Sequence, residues 1–221
     1  MVARRLAYLT DRVDLSDVRQ ILDIGSWHLG QSIEFSQIFP NAKIDAFEPV
    51  PDSYQLCLKK LNNLNNKQKE LIRVHNLALN DSKGEIPFYP VDSTVKQSID
   101  MGFSSMFKIK EGVFNETFFQ NEIKVQSDTL DNWCEENNVN SVDIIWIDVQ
   151  GAELHVFKGA ENILKNTRII LTEVGLKPYY EGHTLKEDID KLLFGLGFKE
   201  LDNSFELNVA DYEANTIYIK K

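Results

Sequence analysis

The sequence predicts an α/β fold: a mostly parallel, seven-stranded sheet with helices on both faces and an antiparallel hairpin at its C-terminal end. Three observations carry that prediction. Short apolar runs alternate with helix-period segments along the chain, the order that builds crossover units of a parallel sheet. One run, VDIIWI at 142–147, is almost wholly apolar, as a strand covered on both faces must be. The last 25 residues alternate instead, as a half-buried hairpin does.

The elements follow in order. Residues 20–24 form a short strand, and a helix over 31–39 ends at Pro40, which cannot continue it. Residues 43–47 form the second strand. Asp52 is placed to cap the next helix, where Tyr54, Cys57, Leu58 and Leu61 make one apolar stripe. The asparagine-rich 61–70 stretch reads as a frayed helix end, and 71–79 as the third strand. Regular alternation then lapses over about 81–126, an irregular insertion or lid with extended pieces at 85–89 and 122–125. Five phenylalanines (Phe103, Phe107, Phe114, Phe118, Phe119) argue that it packs onto something. Beyond it come a helix at 129–136, the strand 142–147, a helix at 151–164 and a strand at 168–172. Thr184 with Glu187 reads as a capping box for a helix to Phe194 that Gly195 and Gly197 end. The hairpin closes on 216–219. The 221 residues suit one domain, 1–221.

Composition narrows the function. A net charge of −10 without a basic stripe argues against nucleic acid as a partner. Cys57 and Cys134, far apart and in helix-like patterns, read as reduced core thiols. The N-terminus does not resemble a signal peptide, and no apolar run approaches the roughly 20 residues that span a bilayer. A cytoplasmic protein with no membrane partner is therefore expected.

Ligands of open α/β sheets sit beyond the carboxyl ends of the strands. Asp23, Glu48, Asp148 and Glu173 lie at or near four such ends, which marks a functional crevice. Glu48 is placed to accept hydrogen bonds from both hydroxyls of a ribose. The turn after the first strand, DIGSWHLG, has Gly25 and Gly30 but Trp27 and His28 between them. Pyrophosphate binding wants G-x-G-x-x-G with bare backbone at the phosphates. A cofactor with an amino-acid tail tolerates a bulkier loop, which points to S-adenosylmethionine. Its ammonium would suit Asp23, and its carboxylate the amides at the helix start.

These residues resemble a class I S-adenosylmethionine-dependent methyltransferase with a Rossmann-like fold, and more closely the FkbM-type family. The resemblance runs through DIGSWHLG, FEP at 47–49, NLALNDSKGEIPFY at 76–89, GFSSM at 102–106, TLDNW from Thr129 and IDVQGAELHVFKGA from Ile147. It covers about 18–200, and the late block is its most specific part. It implies that Asp23, Gly25, Ser26 and Glu48 hold the cofactor, that Ala78 and Leu79 lie against the adenine, and that Ser104 and Ser105 face the acceptor. It also implies methylation of a hydroxyl oxygen on a small molecule or sugar. The first loop is a residue longer than the family pattern. Trp27 would stack near the cofactor or plug the sheet top, and His28 reads as a surface or structural residue.

An alcohol needs its proton drawn away before it attacks a methyl group. Asp148, which also borders the cofactor, is the first candidate base, and Glu173 the second. Glu153, in a helix's first turn, suits the macrodipole; His155 and His183 rank lower. Asp148 and Glu173 could instead hold a magnesium ion, but no third ligand is evident and metal dependence is not favoured. Two alternatives stand beside this reading. A nicotinamide-dependent oxidoreductase also uses a ribose-binding acid. A non-catalytic cofactor-binding module would keep the fold without turnover.

Overall fold

The computed structural model describes residues 2–9, 12–91, 101–113, 119–202, 204–207 and 212–220. The main sheet is built around β1 (Gln20–Ile24), β2 (Lys43–Phe47), β3 (Ile72–His75), β7 (Val142–Ile147) and β8 (Thr167–Gly175), all parallel. The C-terminal β11 (Glu213–Lys220) runs antiparallel to β8 and carries β9 (Phe198–Glu200) and β10 (Glu206–Leu207) on its far side. The order is β10-β11-β8-β7-β1-β2-β3 with β9 also on β11. That makes eight strands in this sheet among the described residues, one more than expected, because the C-terminal segment supplies three strands rather than a simple hairpin.

Alternation along each strand builds two cores. Leu22, Ile24, Ile145 and Ile147 face one side with α5 (Leu130–Glu136), α6 (Glu153–Lys158) and α7 (Lys186–Gly195). Ile21, Ile44, Ile144 and Trp146 face the other. There they meet α1 (Val2–Leu6), α2 (Gly30–Ile38) and α3 (Pro51–Asn62). Cys57 and Cys134 are buried free thiols in these two cores. A short α4 (Asn66–Leu71), capped by Asn65, precedes β3. No described helix is long and apolar enough to cross a membrane.

Several local expectations are corrected. The third strand does not run unbroken over 71–79. The Asn76 side chain donates to the Glu48 and Pro49 carbonyls at 2.9 and 3.0 Å, and the chain leaves the main sheet. It resumes as β4 (Ala78–Leu79) in a second sheet, ordered β4-β6-β5, with β5 (Gly84–Phe88) and β6 (Ile123–Asp128). The irregular stretch thus contains a strand excursion. Phe103 and Phe107 are half-buried there, Phe119 is exposed, and Phe114 and Phe118 lie outside the described residues. Asp52 is a first-turn acid, not the cap of α3; Val50 holds that position, with Pro51 opening the helix. The helix expected over 151–164 is only α6 followed by a 3-10 turn at Ile163–Asn166, because Gly159 passes against the Asn80 backbone. Thr184 does not cap α7: its hydroxyl donates to the Gly151 carbonyl, and Leu185 stands at the cap.

Candidate active site

β1 lies between β2 and β7, so the segments leaving these strands share one edge of the sheet. A cavity opens there, holding about 660 Å³ of non-atom space and open to solvent on one side. Gly25, Trp27, Phe47, Glu48, Leu77, Ala78, Leu79, Ser104, Asp148 and Gln150 are among its walls, with Ile86, Phe88 and Met106 from the second sheet and its loop.

Glu48 follows β2. Its Oε2 accepts from the Trp27 amide at 2.8 Å and its Oε1 from the Val50 amide at 2.9 Å. Only 5% of the residue is exposed. Burial pushes its carboxyl up to about 8, against the pull of those two amides. The carboxylate is therefore pre-oriented, and each oxygen retains a lone pair for a ligand donor.

The first loop is shaped by packing. Gly25 has φ +85, and a Cβ there would stand 2.0 Å from the Asp148 carbonyl oxygen. Trp27 and Leu29 both take positive φ, 46° and 66°, and Leu29 is buried. The loop amides serve the protein itself. Those of Gly25 and Ser26 donate to the Phe47 carbonyl, that of Gly30 to the His28 ring, and that of Ser32 to Asp23. The expectation that helix-start amides receive a ligand carboxylate is thus corrected at Gly30 and Ser32. The Trp27 indole stacks on His28 at 4.2 Å between ring centroids, and Trp27 borders the cavity.

Asp23 is fully buried and lies outside the cavity lining. Its Oδ2 accepts from both the amide and the hydroxyl of Ser32, which ties the end of β1 to the first turn of α2. Its Oδ1 has no partner among the described residues, and burial raises its carboxyl to about 6. Ser26 and Ser105 are also fully buried. The Ser105 hydroxyl donates to the Gln150 carbonyl at 2.7 Å, so it braces the turn after β7 and does not face the cavity.

Asp148 stands just beyond β7 and Glu173 within β8. Gln150, between them in sequence, joins them: its Nε2 donates to Asp148 Oδ1 at 2.7 Å and to Glu173 Oε2 at 2.9 Å. Glu173 borders a second, smaller space instead of the main cavity. Glu153 turns back to accept from the Val149 and Gly151 amides, and burial pushes its carboxyl up to about 8. His183 packs against Gly151 and Gly175 and is pushed down to about 4 by burial, so it is a neutral packing residue. His155 pairs with Asp81 at 2.8 Å. Among the described residues, no three His, Cys, Asp or Glu side chains are grouped to hold a metal ion.

The structure thus brings Gly25, Trp27, Glu48, Ala78, Leu79, Ser104 and Asp148 to one cavity, and leaves Asp23, Ser26, Ser105 and Glu173 off its walls. Gln150 is the residue sequence reasoning missed. Its signal was its place two residues after Asp148 and next to Gly151, in a turn whose strain the sequence does not display.

The raised carboxyls of Asp23, Glu48 and Glu153 set a pH dependence. Each binds its proton more tightly folded than unfolded. Its stabilising contribution is complete below the ordinary carboxyl range and is lost as pH climbs to the folded value, about 6 for Asp23 and about 8 for Glu48 and Glu153. The melting temperature should therefore fall between about pH 5 and about pH 9, and Glu153→Gln should flatten that slope. A calorimetric series showing a rise over the same interval would refute the assignment.

Comparisons with known proteins agree with this geometry. Residues 30–200 match the methyltransferase FkbM domain; the match starts after the unusual loop. The 2-O-methyltransferase NoeI of Sinorhizobium fredii (strain NBRC 101917 / NGR234) is 34% identical over 164 residues. That alignment covers 73% of this chain and 65% of the relative, so the chain spans just under two thirds of its length. Two solved structures share the fold at low identity. The magnesium protoporphyrin IX methyltransferase of Synechocystis PCC 6803, with bound SAM, superposes with a TM-score of 0.52 at 10% identity, covering 100% of this chain and 77% of that one. The N-terminal domain of human METTL16, in complex with SAH, gives 0.54 at 12% identity over 99% and 68%. From the matched domain and the relative together, the chain belongs to the FkbM methyltransferase family.

Proposed function

We propose that this protein transfers a methyl group from S-adenosylmethionine to a hydroxyl oxygen of a small molecule or sugar. The observation that carries the reading is a single cavity at the strand ends with a fixed carboxylate, Glu48, and a candidate base, Asp148, both on its walls. The relative's name, a 2-O-methyltransferase, supports oxygen as the site of transfer.

Bound S-adenosylmethionine supplies a methyl group activated by the positive sulfur. Glu48 accepts the ribose hydroxyls, and Ala78 and Leu79 give the adenine an apolar wall. The inward-turned loop amides leave no cradle for a pyrophosphate, which counts against a nicotinamide dinucleotide. The lone Asp23 Oδ1 is a buried acceptor behind the cavity wall that an ordered water would satisfy. Asp148 takes the proton of the acceptor hydroxyl as the carbon–oxygen bond forms, and Ser104 borders the same space. Much of the rate comes from holding the oxygen in line behind the methyl group.

Titration calorimetry tests the cofactor. S-adenosylmethionine and S-adenosylhomocysteine should bind, and NAD should not. Glu48→Ala removes two charge-assisted hydrogen bonds and should weaken binding about a hundredfold, roughly 3 kcal/mol. Binding should also weaken as pH is lowered through about 8, where Glu48 takes up its proton. Undiminished affinity in the Glu48→Ala protein would end the reading.

A further inference from the structure

We propose that Gln150 is a positioning residue, whose side-chain amide clamps the Asp148 and Glu173 carboxylates together and aims Asp148 at the acceptor. The inference rests on the methyl-transfer reading for the base role of Asp148, but the clamp itself is a separate claim.

The orientation of the amide follows from its surroundings. Carboxylates only accept, so the nitrogen must face Asp148 and Glu173. The oxygen then faces the Tyr180 hydroxyl, 2.9 Å away. Both hydrogens of the nitrogen have acceptors, one on each carboxylate, at 2.7 and 2.9 Å. The amide is 9% exposed with its residue, so water competes little for these bonds.

The backbone is arranged for this purpose at a cost. Gln150 has φ +52, the left-handed region that an unbranched polar residue tolerates poorly, and Gly151 follows at +89. Contacts from several distant segments hold the turn. Ser105 donates to the Gln150 carbonyl, Glu153 accepts from the amides on either side, and Thr184 donates to the Gly151 carbonyl through both its amide and its hydroxyl. An ordinary helix entry needs none of this. The strained turn places one amide where it can reach the end of β7 and the middle of β8 at once.

The clamp matters because the surroundings are acidic. Asp148 is within electrostatic reach of Asp23 from β1, Glu153 from α6 and the Tyr180 hydroxyl. Glu173 faces Glu213 from β11, the Tyr179 and Tyr180 hydroxyls, and Arg5 from α1, which is itself paired with Glu206. Glu213 is in turn bonded by Tyr179. Without a shared donor, two carboxylates this close would favour one proton between them, and a protonated Asp148 cannot take the proton of the acceptor hydroxyl. A methionine at 150 would fill the space without donating.

The test uses carboxyl-carbon NMR titration of the full chain, with Asp148→Asn and Glu173→Gln to identify the signals. In Gln150→Met, Asp148 or Glu173 should titrate at least one pH unit higher than in the parent. Tyr180→Phe, which keeps the fold but frees the amide oxygen, should shift the same signal in the same direction by less. Calorimetry with S-adenosylhomocysteine should stay within about threefold of the parent in Tyr180→Phe, because Tyr180 is not on the cavity wall. Unchanged titration of both carboxyls in Gln150→Met overturns the clamp. Should that variant fail to fold, unchanged titration in Tyr180→Phe does the same. If the parent fails to bind S-adenosylhomocysteine while the titration shifts as described, the methyl-transfer reading falls and the clamp stands.

Discussion

Asp148→Asn is expected to cut turnover about a hundredfold while leaving S-adenosylmethionine affinity within a few-fold. Loss of a general base costs of that order or more. An asparagine keeps the size of the side chain but cannot take the acceptor's proton. It also alters the contact with Gln150, whose nitrogen would now meet an amide in place of a carboxylate oxygen. In the proposed reading the cofactor's ribose is held from Glu48, which the Trp27 and Val50 amides fix at the other strand end, so binding and turnover should separate. The measurement is methyl transfer from labelled S-adenosylmethionine to a panel of glycosides and small alcohols, with binding followed by calorimetry. Turnover equal to the parent removes Asp148 from the chemistry. A matching loss of cofactor affinity would instead make it a binding residue.

The second large effect is structural. Gly25→Ala should destabilise the protein by about 3 kcal/mol or more, from the strain of a positive φ with a side chain and a collision with fixed backbone. The new Cβ would meet the Asp148 carbonyl oxygen at 2.0 Å and its carbon at 2.9 Å. Neither atom can yield without moving the end of β7, which hydrogen-bonds to β1 through the Asp148 amide and the Ile24 carbonyl at 3.0 Å. A fall in melting temperature of roughly ten degrees is expected for a chain of this size. Gly195→Ala is the control. It stands at the end of α7 with nothing within 4 Å of its added Cβ, so that change should be neutral or slightly stabilising. Equal melting temperatures for the two variants would show that the close approach at Gly25 is not limiting.

Gly25 also shows where sequence reasoning reaches its end. A glycine after the first strand is easily read as an opening for a ligand. Here its missing side chain makes room for the neighbouring strand's backbone, a neighbour more than a hundred residues away in the chain. Trp27 looked too bulky for a phosphate cradle. The structure explains how the loop carries it: at positive φ the indole stacks on His28 at the cavity wall while Leu29 enters the core. The capping box at Thr184 failed for a related reason. Thr184 has a partner in Gly151 that local sequence cannot reveal.

The sequence by itself determined the order of strands and helices, the parallel centre of the sheet, the antiparallel C-terminal strands and the family. Those properties rest on local periodicity and on short residue patterns, which are present in the chain before it folds. Only the tertiary structure decided which acids border the cavity. Asp23 and Glu48 both sit at strand ends, yet one is sealed beneath α2 and the other borders the cavity. Only the fold, too, brought Gln150 between Asp148 and Glu173. Burial, proton affinity and hydrogen-bond partners depend on groups brought from distant segments, so they exist only once the sheet has assembled.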